Sequence, residues 1–249
     1  MTDPWPADAV RDRLIGDVYV YQRRGGHRAS TDDVITAWHA CRGWARPPCR
    51  YLDLGCGIGS VLLTVAHRLR PEASLGIEAQ AESVMLARRS LAELPEEAPP
   101  VALVEGDFRH HDFGAQRFDL ITGSPPYFPV TAGVLPDDPQ RRACRFELRG
   151  GVEAYCDVAA RLLAAGGRFH LVFQSTWTER VEQAGRAAGL HLVDRCDMQS
   201  RSDRWDPFLT VYEFRHEPAP LRRSELAIRD VRGAFTPEYE QLRAELGWR

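Results

Sequence analysis

The stretch Asp53-Leu54-Gly55-Cys56-Gly57-Ile58-Gly59-Ser60 closes an apolar run with a carboxylate and follows it with three glycines. Glycine in such a turn permits positive φ and lets backbone approach a ligand closely. Glu78 and Asp107 close the next two apolar runs. Acids at successive strand ends suit a nucleoside-containing cofactor, with Glu78 accepting both ribose hydroxyls and Asp107 meeting the base edge. A dinucleotide fingerprint requires glycine three residues beyond Gly57, where Ser60 stands, so NAD is disfavoured. A second signal follows the run Arg117 to Thr122, in Gly123-Ser124-Pro125-Pro126-Tyr127-Phe128. The prolines remove two backbone donors and hold the residue before each in an extended conformation. Such a turn is stiff, leaves carbonyls free and carries an aromatic ring directly behind them.

These residues need a scaffold that brings strand ends together. Compact apolar runs at 50–55, 74–78, 101–107, 117–122, 168–174, 190–199 and 208–215 read as strands. Helical spacing covers 30–44 with Ser30 or Thr31 as N-cap, 60–70, 81–94, 152–167 with a glycine stop, and 178–189. The alternation predicts an α/β Rossmann-like fold: a mostly parallel seven-stranded sheet, helices on both faces and an antiparallel edge strand. A long polar loop runs from Phe128 to about Arg149, and the tail reads as one more short strand and a capped helix. The expected organisation is an N-terminal segment (1–45) flanking the site, a core (46–216) and a strand-helix tail (217–249) packed on it.

Composition narrows the function classes. All 32 basic residues are arginine, and 35 acidic residues bring the formal charge to −3, so global charge does not recruit nucleic acid. Local clusters (Arg23, Arg24 and Arg28; Arg141, Arg142, Arg145 and Arg149; Arg201 and Arg204) fit phosphate contacts or a solvated surface equally well. The opening residues lack a signal-peptide pattern and no run reaches the roughly 18 apolar residues of a membrane span. The expectation is a cytoplasmic protein. Six scattered cysteines read as reduced thiols, and His110-His111-Asp112 lacks converging ligands, so no metal is expected.

At the glycine motif, Glu78, Asp107 and the Pro-Pro-Tyr segment the chain resembles the class I S-adenosyl-L-methionine-dependent methyltransferases. Ser-Pro-Pro-Tyr is a permitted form of the signature of those acting on amino nitrogens. Gly26-His27-Arg28 with Asp32, the stretch Pro139 to Glu147 and the tail are similar to the bacterial tRNA adenine-N6 methyltransferases. The resemblance implies S-adenosyl-L-methionine held by Arg28, Asp32, Asp53, Gly55, Gly57, Gly59, Glu78 and Asp107. It implies catalysis by Ser124, Pro125, Pro126 and Tyr127: the Ser124 oxygen and Pro125 carbonyl accept from the target amino group, and Tyr127 stacks on its ring. Phe128 and Arg145 would touch substrate, with tRNA as the RNA partner. A small-molecule amine or hydroxyl, a protein side chain, or a non-catalytic cofactor-binding role remain as alternatives.

Overall fold

The computed structural model describes residues 5–248; the outermost residues of the expected terminal segments, 1–4 and 249, lie outside them. In chain order come β1 (Ala9–Ile15), β2 (Val18–Arg23), α1 (Thr31–Cys41), β3 (Arg50–Leu54), α2 (Ser60–Leu69), β4 (Ala73–Glu78), α3 (Ala81–Leu91), β5 (Val101–Glu105) and β6 (Phe118–Gly123). Then follow α4 (Pro139–Arg145), α5 (Val152–Leu162), β7 (Leu163–Gln174), α6 (Thr178–Ala187), β8 (His191–Arg201), β9 (Leu209–Arg215), β10 (Arg222–Arg229) and α7 (Pro237–Leu246).

One sheet of eight strands has the order β10-β8-β9-β7-β6-β3-β4-β5. The α/β class and the mostly parallel sheet agree with the pattern of the sequence, but two details differ. The antiparallel strand is β9, and it lies inside the sheet between β7 and β8. The tail strand β10 pairs parallel with β8 and forms the edge, giving eight strands where seven were expected. The cause is connection length: the short turn after β8 forces β9 to run back, and β9 ends level with the start of β8. The chain needs only residues 216–221 to begin β10 beside Asp194.

Alternate residues of the central strands serve opposite faces. Leu52, Ile121, Leu171, Phe173 and Tyr212 join α5 and α6 in one core, while Tyr51, Leu120, Val172 and Val211 join α1, α2 and α7 in the other. That period of two is what a sheet covered on both sides requires. The hairpin β1–β2, not foreseen in the opening residues, adds a third cluster by laying Leu14, Ile15, Val18 and Val20 on Ile58, Leu63 and Leu86. Residues 163–167, read as helix, leave α5 early because Leu163 pairs with Phe118, and Gly166 turns at φ 71°. The loop read as polar holds the lid helix α4, about two turns long.

Candidate active site

The carboxyl ends of β3, β4, β5 and β6 converge on a cleft partly open to solvent. Asp53, Gly55, Gly57, Glu78, Asp107, Ser124 and Pro126, all singled out in the sequence, line it together. Strand adjacency explains this convergence, since β3 lies between β4 and β6 and the three run parallel.

Asp53 is buried and accepts from Thr122 Oγ1, its register neighbour on β6, at 2.6 Å. With Asp53 ionised the Thr122 proton is committed to it, so Tyr51 donates its hydroxyl proton to Thr122 across 2.7 Å. Burial pushes Asp53 up to about 7. Glu78 receives the Gly57 N–H at 2.9 Å on one oxygen and the Gln80 N–H at 2.7 Å on the other. Burial raises its pKa and these backbone donors oppose the rise. Each oxygen keeps a second lone pair for a ligand hydroxyl. Asp107 is gripped by Arg109 through Nε at 2.9 Å and Nη2 at 2.5 Å, which holds its carboxyl below the usual range.

The loop fits a nucleoside-bearing ligand. Gly57 has φ 56°, and a Cβ there would enter open space in the cleft, so the missing side chain leaves room for a ligand. Gly55 has a different reason: a Cβ would lie 2.5 Å from the Tyr155 hydroxyl, so protein packing demands that glycine. Gly59, with φ 89°, is the N-cap of α2 and does not line the cleft.

Other expected residues stand apart. Pro125 is buried and its neighbours Ser124 and Pro126 form the lining. Tyr127 does not face the cleft: its ring packs edge-on against Phe173 at 5.4 Å and its hydroxyl donates to Asp32 at 2.9 Å. The expected stacking ring is therefore engaged in the core, and Asp32 is engaged with it. Arg28 is exposed and pairs with Asp12, away from the cleft. Phe128 and Arg145 lie outside the lining but against each other, with the guanidinium 5.5 Å over the ring and Phe146 beside it. The residues closing this side belong to α4, whose Ala143 and Cys144 reach the cleft.

The sequence reading missed Asp33, Tyr155, Phe108 and Gln80, which also line the cleft. Asp33 was visible as an aspartate in the first turn of α1. Its carboxylate accepts the Ser30 N–H at 2.9 Å, while burial, with the Asp32 charge beside it, pushes its pKa up to about 8. Asp33, Asp53 and Glu78 make this a cleft of buried carboxylates, suited to a ligand that brings positive charge and hydroxyl donors. Among the described residues no cluster of metal-ligating side chains occurs, and no helix is long and apolar enough to cross a membrane.

Residues 52–132 match a family model described as a methyltransferase domain. The chain is 27% identical over 229 residues, covering 91% of it and 92% of the relative, to a tRNA1(Val) (adenine(37)-N6)-methyltransferase of Tolumonas auensis. It is 33% identical over 160 residues to the release factor glutamine methyltransferase of Caulobacter vibrioides, covering 61% of this chain and 55% of that protein. In fold it is similar to a predicted O-methyltransferase from Agrobacterium tumefaciens, with TM-score 0.63, 22% identity and 88% and 98% of the two chains covered.

Proposed function

We infer that this chain, a class I S-adenosyl-L-methionine-dependent methyltransferase, transfers the methyl group to an exocyclic amino nitrogen, adenine N6 of tRNA. The observation that carries the reading is spatial: Ser124 and Pro126, at the end of β6, line the same cleft as Glu78 and the Gly57 turn. Support for the acceptor comes from relatives named as tRNA adenine methyltransferases that match over most of both chains.

Bound in the cleft, S-adenosyl-L-methionine supplies an electrophilic methyl group on a sulfonium. The residues present fit it. Glu78 would accept the ribose hydroxyls on its free lone pairs, the Gly57 turn would make room for the nucleoside, and the carboxylates Asp53 and Asp33 would offset its positive charge. Asp107 fixes the base side through the loop that Arg109 braces.

The acceptor nitrogen poses the chemical problem. An exocyclic amino group is conjugated with its ring, and its lone pair becomes nucleophilic only when its hydrogens are drawn out of plane. Ser124 Oγ and the Pro125 carbonyl are the two acceptors that do so, and the double proline keeps that carbonyl from swinging away. No strong base is needed, because the product loses its proton to water. Holding the nitrogen in line with the methyl group is the largest contribution, about 7–11 kcal/mol in favourable intramolecular cases.

The test is transfer of radiolabelled methyl to total tRNA followed by nucleoside digestion. Labelled N6-methyladenosine is expected; its absence rejects the acceptor assignment. The 33% identity to the glutamine methyltransferase favours one second reading, an amide nitrogen of a protein, whose planar conjugated NH2 presents the same problem. Label in a protein and none in tRNA would establish that reading instead.

A further inference from the structure

The end of the sheet opposite the cleft holds a second cavity of about 540 Å³, partly open to solvent. Register builds its floor. Arg222 of β10 pairs with Asp194 of β8, Asp194 with Glu213 of β9, and Glu213 with His170 of β7, so one row crosses four strands. From α1, His39 stands over that row with its Nδ1 2.9 Å from the Nδ1 of His170.

Five guanidinium groups line the cavity against two carboxylates. The carboxylates are already engaged: Arg215 Nε donates to Glu213 at 2.6 Å, and Arg222 Nη2 donates to Asp194 at 2.9 Å. Arg168 donates to the carbonyl oxygens of Arg42 at 3.0 Å and Gly43 at 2.9 Å. That covers carbonyls just beyond the end of α1 that would otherwise repel an anion. Arg42 and Arg223 are left exposed at the rim and form no ion pair among the described residues. Arg42 is steadied by the Trp38 ring, 4.5 Å beneath it.

The floor offers a donor without an acceptor. His39 is 2% exposed, and its Nε2 has no hydrogen-bond partner. Asp194 Oδ2, at 3.8 Å, is too distant to be one, although its charge favours the tautomer with hydrogen on that nitrogen. In that tautomer His170 Nδ1 donates to His39 Nδ1, and the His39 Nε2–H is left buried without an acceptor in a residue that lines the cavity. The excess of guanidinium disfavours a cation there, while planar guanidinium forks match phosphate and hold it in bidentate fashion.

We propose that this cavity is a phosphate-binding site, with Arg42 and Arg223 gripping the oxyanion, Arg222 closing its mouth and the His39 Nε2–H reaching it from the floor. The shared chemistry is a phosphoryl oxyanion, carried by free phosphate or by an RNA backbone. Only the RNA source rests on the tRNA reading above.

The test compares the full chain with its Arg42→Gln/Arg223→Gln variant, both substitutions being exposed and outside the cleft. One arm titrates inorganic phosphate by calorimetry; the other measures affinity for a tRNA transcript across a salt series. S-adenosyl-L-methionine affinity is expected to be unchanged, which confirms folding. Loss of phosphate affinity of about tenfold or more supports the site. A salt slope shallower by about 0.7–0.9, the value of one phosphate contact, identifies the RNA backbone as the source. Weakened phosphate binding with an unaltered slope identifies free phosphate. A variant that matches the parent in both arms overturns the proposal. The phosphate arm remains readable if the chain methylates no tRNA.

Discussion

The two halves of the cleft are held in different ways. On the donor side the contacts come from strands and turns: Gly57 and Gln80 N–H groups on Glu78, and the β6 neighbour Thr122 on Asp53. On the acceptor side they join loops and helices rather than neighbouring strands. Tyr127 is latched to Asp32, and α4 is tied down through Gln140, whose Oε1 accepts the His27 N–H at 3.1 Å and whose Nε2 donates to Ser83. Backbone geometry is set when the sheet forms, whereas side-chain latches can open separately. In the proposed reading the donor half is preorganised, and the acceptor half would have to rearrange before Tyr127 could meet a base.

The largest effect should come from attacking the preorganised half. Glu78→Ala is expected to weaken S-adenosyl-L-methionine binding by about a hundredfold, since hydrogen bonds to a charged group are worth about 1.5–3 kcal/mol each. Calorimetry checks it. A loss below threefold would mean that Glu78 supports the turn without touching the cofactor.

Tyr127 tests the other half. Tyr127→Ala should lower kcat/KM for tRNA by about 10- to 100-fold, from base stacking worth about 1–3 kcal/mol, and leave cofactor affinity within twofold. Tyr127→Phe keeps the ring and removes the latch to Asp32, so its kcat/KM should stay near the parent value. If the alanine variant also lost cofactor affinity, the two halves would not be separable.

This difference also decides what the sequence could reveal. The donor half was legible because Asp53, Gly57 and Glu78 act where strands end, and strand ends follow from apolar runs and glycines. The acceptor half was legible in residue type only. Nothing in Ser-Pro-Pro-Tyr says that Tyr127 turns inward to Phe173 and Asp32, because that choice depends on where α1 and β7 pack. Arg28 and Arg145 were matched by pattern, yet Asp12 and Phe128 hold them outside the lining. The hairpin was missed because a short two-stranded ribbon needs α2 and α3 beneath it to be stable, and a local reading does not see them.

A smaller effect follows from the buried acids. Burial raises Asp53 and Asp33 above their ordinary 3.8, to about 7 and about 8, so the folded chain favours their protonated forms. Their contribution to stability is full below about pH 4 and is lost as pH rises through 7 to 8. Without ligand, the melting temperature should fall as pH rises from about 5.5 to about 8.5. Asp33→Asn should flatten the slope, and saturating S-adenosyl-L-methionine should reduce it by offsetting the carboxylate charge. An unchanged profile in the Asn variant would remove Asp33 from the donor half.

The smallest effect tests the latch farthest from the chemistry. Arg23 joins three segments: Nε donates to Asp8 at 2.9 Å, and Nη1 to Glu82 and to Asp138, both at 2.8 Å. Asp138 is the N-cap of α4, so this arginine ties the lid to the hairpin and to α3. Ion pairs of this exposure are worth about 0.2–1 kcal/mol each, so Arg23→Gln should shift the lid equilibrium without unfolding the chain. The expected outcome is a rise in KM for tRNA of about two- to fivefold, with kcat and cofactor affinity nearly constant, because the hydrogen bonds on Glu78 come from the Gly57 and Gln80 backbone and none comes from α4. Steady-state kinetics with tRNA varied at saturating cofactor separates the two constants. A fall in cofactor affinity of the same size would show that the lid also completes the donor side, and the division between a backbone-built half and a latched half would then have to be drawn at α4 itself.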